Sequence, residues 1–222
     1  MTKISVANVL GYMQDGAIRS REELESKGVS GAMLSRMVKN GLLVRHASGL
    51  YQIAGAEPDH REQYAALAKA KPDAVFILFT AATHHGITQV MPGALWVGIP
   101  ENQRIPRQMQ ASIGTEISAV RWRRPINFEV GVEKFEALGV TIKVTNPART
   151  VVDMWRYSTL NKVLPPQHAR VDEESFLDCF SLFLNSGAGT IAEISRVAAD
   201  LGVAKGMMPH IKDFGFLAGP GR

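Results

Sequence analysis

The segment GVSGAMLSRMVKNGLLVRHASGLYQI, residues 28–53, has the pattern of a short helix, a glycine stop and two short strands around a tight turn. Ser30 stands where a hydroxyl can accept from a first-turn amide that has no partner inside the helix. Leu34, Met37 and Val38 recur at i, i+3 and i+4 and so share one helix face. Ser35, Arg36, Lys39 and Asn40 fall on the other face, and no acidic residue occurs from Gly28 to Ile53. Gly41 suits the left-handed residue that ends a helix, since it carries no Cβ. Leu42–Arg45 and Leu50–Ile53 then read as a β-ribbon with His46–Gly49 as its polar tip.

Two helices upstream complete a module of this kind. Ile4, Val6, Ala7, Val9, Leu10 and Met13 form an apolar stripe that ends in Gly11–Gly16. Ser20 with Glu23 three residues on is a capping box, and Leu24 is the inward anchor of the helix it opens. Gly28-Val29-Ser30 is the short turn into the third helix. The layout is that of a winged helix-turn-helix, which sets its recognition helix in the DNA major groove and its wing against the backbone. Such a module also serves protein contacts, and the placement of charge favours DNA. Residues 1–57 hold seven Lys/Arg against five Asp/Glu, but the acids gather at Glu22, Glu23 and Glu25, away from the third helix. The residues offered to DNA are Ser30, Ser35, Arg36, Lys39 and Asn40, with Arg45, His46 and Ser48 at the wing.

Over the whole chain, 222 residues suffice for one large domain or two small ones. A 45% hydrophobic and 21% charged composition is that of an ordinary globular protein. The formal charge of +4 and pI of about 9.3 permit an anionic partner. Cys179 is the single cysteine, fits a reducing compartment, and lies in the apolar stretch FLDCFSLFL, where it reads as a buried small hydrophobe. With no run of 18 apolar residues and no charged-then-apolar leader, a cytoplasmic protein without membrane attachment is expected.

AGAEPD, residues 54–59, reads as a linker, and Asp59 as the cap of a helix stopped by Pro72. The expected fold class is α+β, with the winged helix-turn-helix over 1–56 followed by a mixed-sheet domain with a C-terminal helical bundle over 57–222. The sheet-containing part covers 57–158, with strands at 74–79, 94–99, 117–122, 128–132 and 140–144 and a loop over 101–111. Asn146-Pro147 is a strong helix start. Three further helices are expected over 172–185, 190–201 and about 204–213, in a helical part spanning 159–215, with Pro165-Pro166 breaking the chain before them and a disordered AGPGR end.

Four stretches make this chain resemble the AbiEi family of antitoxins and transcriptional regulators from bacterial abortive-infection, type IV toxin–antitoxin systems. They are LSRMVKNGLLVRHASGLYQI, FTAATHHGITQVMPGALWVGIP, VTIKVTNPARTVVDMWRY and ISRVAADLGVAKGMMPHI, and NPARTVVD followed by an aromatic and Arg-Tyr is the most specific. KVLPPQHARV, residues 162–171, departs from the family by its two prolines. The resemblance implies an N-terminal DNA-binding winged helix joined to an antitoxin domain. It implies repression of the protein's own operon through an inverted repeat, a nucleotidyltransferase-like toxin as partner, antiviral defence as the setting, and no cofactor. A winged-helix regulator that works without a toxin is the alternative.

No catalytic or metal-binding constellation emerges from the residues themselves. His84-His85 point about 100° apart on a helix and cannot share one ion, and the other four histidines lack ligand spacing. A metal-dependent nuclease would need carboxylates from neighbouring strands with a lysine nearby. Glu129 and Lys143 are candidates, but a second strand-borne acid is missing unless Glu133 or Asp153 supplies it. Arg149, Asp153 and Arg156 have helix-face ion-pair spacing and read as an internal clamp. The stretch 104–124 carries Arg104, Arg107, Arg121, Arg123 and Arg124 against Glu116 alone, either a solvated edge or an anion-facing surface.

Overall fold

The structure is a computed structural model that describes residues 4–47, 49–57, 59–159 and 171–218. Ser48, the Pro165-Pro166 break, KVLPPQHARV up to residue 170 and the end of AGPGR lie outside the described residues.

Local side-chain chemistry sets the N-terminal helices. Ser5 opens α1 (Val6–Tyr12) by accepting from the Asn8 amide. Ser20 opens α2 (Arg21–Ser26) with a full capping box: its hydroxyl accepts from Glu23 N at 3.2 Å, and the Glu23 carboxylate accepts from Ser20 N at 2.6 Å. Ser30 opens α3 (Gly31–Lys39) by accepting from Met33 N at 3.2 Å. At the other end of α3, Gly41 has φ 68°, its amide donates to Val38 O, and the Leu42 amide donates to Met37 O. That pair of bonds satisfies carbonyls that the helix leaves open.

The ribbon follows as β2 (Leu43–Ala47) and β3 (Leu50–Ile53), paired antiparallel. β2 runs two residues further than expected, and the register shift between Arg45 and Ala47 makes His46 a bulge. A two-residue strand absent from the sequence reading, β1 (Arg19–Ser20), pairs with the far edge of β3, so the sheet order is β1-β3-β2. Val9, Met13, Leu24, Val29, Leu34, Met37, Leu43 and Tyr51 close a buried core inside residues 1–56.

Asp59 does not cap the next helix, α4 (Glu62–Ala70), whose N-cap is Arg61 with no side-chain bond. Its carboxylate instead takes the Arg61 guanidinium at 2.9 and 2.7 Å and the Arg61 amide at 2.8 Å. The hydrogen bond from that guanidinium, opposed by partial burial, holds the Asp59 carboxyl at about 2.

A second, mixed sheet has the order β6-β5-β4-β8-β7. The apolar run at 74–79 contributes only β4 (Val75–Phe76), which pairs antiparallel with β5 (Ala94–Pro100) and parallel with β8 (Val140–Thr145). The remainder of the run enters α5 (Leu78–His84). Every residue from 74 to 79 is buried, so hydrophobicity alone does not separate strand from helix there. The expected loop over 101–111 contains most of α6 (Arg107–Ile113), which ends at left-handed Gly114. β6 (Glu116–Trp122) lies parallel to β5. The strand expected at 128–132 is displaced: Pro125–Phe128 form a short 3-10 helix, and β7 runs Val132–Ala137. Leu138 and Gly139, both at positive φ, turn β7 into β8, as a two-residue hairpin of this hand requires.

Asn146 accepts from Arg149 N at 2.8 Å and opens α7 (Pro147–Thr159), with proline at its first position. α8 (Glu173–Asn185), α9 (Ile191–Asp200) and α10 (Ala204–Ala218) complete a helical bundle in which α7 packs on α8 and α9. Val151, Val152, Phe176, Phe180 and Phe183 bury their side chains there together with Ile77, Trp96 and Trp122 from the sheet part. Cys179 is among them, and burial pushes its thiol up to about 12. The chain is therefore α+β, a winged helix-turn-helix followed by a mixed sheet with a helical bundle.

Contacts divide the chain into two compact units, and the division is not the linear boundary at residue 56. One unit comprises Met1–Asp73 with Ile105–Thr115 and Phe135–Ile142; the other comprises Ala74–Arg104, Glu116–Lys134 and Lys143–Arg222. Within the first unit the Leu138 carbonyl accepts from Ile18 N at 2.9 Å. No helix among the described residues is long and apolar enough to cross a membrane.

Candidate nucleic-acid interface

α3 presents two faces of opposite character. Leu34 and Met37 are buried in the winged-helix core. Ser35, Arg36, Lys39 and Asn40 are all exposed, as their spacing requires for one outward face. Arg36 and Lys39 also lie in the last turn, where the helix dipole favours cations. Neither has a carboxylate partner among the described residues. Four other cations of this unit are neutralised at home: Arg19 pairs with Asp15, Arg21 with Glu25 at 2.6 Å, Arg61 with Asp59 at 2.7 Å and Lys69 with Glu23 at 2.6 Å.

The remaining residues expected at the interface have other work. Ser30 is exposed, but its hydroxyl is used in capping α3. Arg45 is exposed on β2, the edge strand of its sheet, against which α3 packs. His46 is half-buried, with Nε2 2.6 Å from the Gln52 side-chain oxygen. The Gln52 amide nitrogen donates to the Gly16 carbonyl at 2.8 Å, which fixes the amide and turns its oxygen toward His46. His46 Nε2 therefore carries the hydrogen in this bond and is not free for a phosphate. Its role in this geometry is to tie the wing bulge to the turn after α1. Ser48 lies outside the described residues.

Two residues were missed in the sequence. Gln52 is 3% exposed and is the polar pivot of that chain of bonds; a glutamine inside an otherwise apolar strand was its only signal. Arg21 approaches α3 so closely that a Cβ at Gly31 would come within 2.8 Å of its guanidinium. Its backbone amide donates to Gly49 O at 2.7 Å and so anchors the wing turn.

Elsewhere the titratable groups serve packing. Asp153 and Arg149 are fully buried and meet at 2.8 Å, and Arg156 joins the same carboxylate at 3.0 Å. Arg149 also donates to the Val130 carbonyl at 2.6 Å and lies 5.2 Å over the Trp122 ring. This is the internal clamp that the spacing predicted. Glu129 follows the 3-10 helix and is on no strand, so its proposed pairing with Lys143 across adjacent strands fails. His85 Nε2 is 2.7 Å from the Thr145 carbonyl and 3.7 Å from Glu133. No metal-holding group of three or more His, Cys, Asp or Glu occurs among the described residues. All five arginines between 104 and 124 are exposed, but Arg107 belongs to the first unit and the others to the second, so they are not one contiguous stretch of a single body.

No family model matches the sequence, and no curated protein matches it. Among solved structures, the crystal structure of the RV2827C protein from Mycobacterium tuberculosis is similar, with a TM-score of 0.55 at 15% identity. The match covers 87% of this chain and 70% of that one. At this identity the likeness shows the fold.

Proposed function

We propose that this chain is a DNA-binding transcriptional regulator that represses its own operon and acts as the antitoxin of a type IV, abortive-infection pair. The observation that carries the DNA-binding half is the outward face of α3. Two cations with no carboxylate partner among the described residues, and two short hydrogen-bonding side chains, stand on a helix whose other face is sealed into a winged helix-turn-helix core. Phosphate contacts by such cations supply most of the affinity and make it fall steeply with salt. Arg36 and Asn40 have the donor sets that read guanine and adenine edges in the major groove. Two copies would occupy an inverted repeat, one half-site each. The lone buried cysteine accords with work in the cytoplasm.

The antitoxin half rests on the resemblance to AbiEi proteins carried by NPARTVVDMWRY, and its partner is a nucleotidyltransferase-like toxin encoded beside it. No cofactor is required by either role. The test of the first half is selection of genomic DNA fragments by the purified full-length protein. Enrichment of an inverted repeat upstream of its own reading frame is expected, and recovery of the input distribution would overturn the reading. For the second half, co-expression with the adjacent toxin should restore growth. Sustained arrest would remove the antitoxin role and leave a solitary regulator.

A further inference from the structure

α6 comes from the middle of the chain, yet it belongs to the same compact unit as the winged helix. It packs against β2 and α4, and its Ile113 carbonyl accepts from the Gln63 side chain at 3.4 Å. β2 is thus the shared neighbour of α3 and α6. Ile113 is buried, Met109 and Gln110 are half-buried, and Arg107, Gln108, Ala111 and Ser112 are exposed on one outward face. Composition repeats the pattern seen at α3: no carboxylate occurs from Asn102 to Thr115, just as none occurs from Gly28 to Ile53. The acids at the start of α4, which also contacts α6, are engaged locally, with Asp59 held by Arg61 and Glu62 accepting from the Asp59 amide at 3.4 Å.

Counter-ion placement agrees with this, although Lys27 and Lys71 of the same unit also lack a carboxylate among the described residues. Arg19, Arg21, Arg61 and Lys69 each have a carboxylate, whereas Arg36, Lys39 and Arg107 have none among the described residues. Exposed cations on α3 and on α6, without a carboxylate partner among the described residues, stand on two helices that both pack against β2. A polyanion is the partner such a set complements.

We infer that α6 is a further backbone-contacting element of the duplex DNA surface, in which Arg107 takes a phosphate and Gln108 stands beside it as a second donor. The inference rests on the reading of this unit as DNA-binding and assigns to that surface an element outside the winged helix. A phosphate contact carries no base information, so Arg107 would add affinity and leave sequence preference to α3.

The experiment measures binding of the full-length protein to two duplexes of about three helical turns, one selected by the protein and one of random sequence, over a range of salt. Arg107→Ala is expected to weaken binding to both duplexes by the same factor and to make the slope of log K against log salt shallower by about 0.9. Arg107→Lys, which keeps the charge, should restore the slope. An unchanged thermal transition establishes that the exposed substitution leaves the fold intact. Wild-type affinity and slope for Arg107→Ala, with binding still lost in Arg36→Ala/Lys39→Ala, would overturn the role of α6 and leave the DNA-binding reading in place. Absence of binding by the wild-type protein to either duplex would overturn both.

Discussion

A chain carrying Arg36→Ala and Lys39→Ala together is expected to lose its gel shift on the DNA upstream of its own reading frame. A bidentate arginine contact to a base contributes about 1–3 kcal/mol. Loss of a phosphate contact by Lys39 adds to this, so a combined loss of roughly 3 kcal/mol, more than a hundredfold in affinity, is expected. Stability should move little, because both side chains are exposed and neither pairs with a carboxylate among the described residues. Exposed substitutions of this kind usually stay within about 0.5 kcal/mol. Arg36→Ala alone should cost more on the selected duplex than on a random one, whereas Lys39→Ala should cost both alike if it meets the backbone. Unchanged affinity in a folded double variant would remove α3 as the reading head.

The largest effect on stability is expected in the other unit. Asp153 is fully buried and is the only carboxylate between Arg149 and Arg156, at 2.8 and 3.0 Å. In Asp153→Ala the Arg149 guanidinium keeps its bond to the Val130 carbonyl but stays in the interior without a counter-charge. Removing one partner of a buried pair costs about 3–5 kcal/mol, since the other charge remains desolvated. One of its nitrogens, Nη2, already has no partner among the described residues, so the site holds no spare acceptor. The urea midpoint should fall accordingly with the slope m unchanged. Replacing the pair together, as Arg149→Met with Asp153→Leu, should recover much of the loss, because no charge is then stranded. A fall below about 1 kcal/mol in Asp153→Ala would show that water reaches the clamp.

What could be read from the residues follows from how far each signal reaches along the chain. Ser20 with Glu23, Ser30 before α3, Gly41 after it and Asn146-Pro147 are interactions within one helical turn, and all four stand in the structure. The exposed face of α3 was legible for the same reason, since spacing alone places Ser35, Arg36, Lys39 and Asn40 together. The partner of His46 was not legible, because Gln52 is reached across the ribbon and is itself fixed by Gly16. α6 was hidden because Pro106 precedes it with no side-chain cap and its residues are mostly polar. β1 has only two residues and exists because β3 is there to pair with it. The run AVFILF shows the limit from another side: its burial was foreseen, but the switch from β4 to α5 at Ile77 is set by the neighbouring strands.

The order in which a ribosome delivers this chain gives the three-segment N-terminal unit a temporal meaning. Its helices and wing are made first, and α6 and the 135–142 segment are still to be made when Asp73 is added. The unit is complete only after Ile142 has been synthesised. Nascent or truncated products ending at residue 56 or 73 therefore lack part of the body that carries α3.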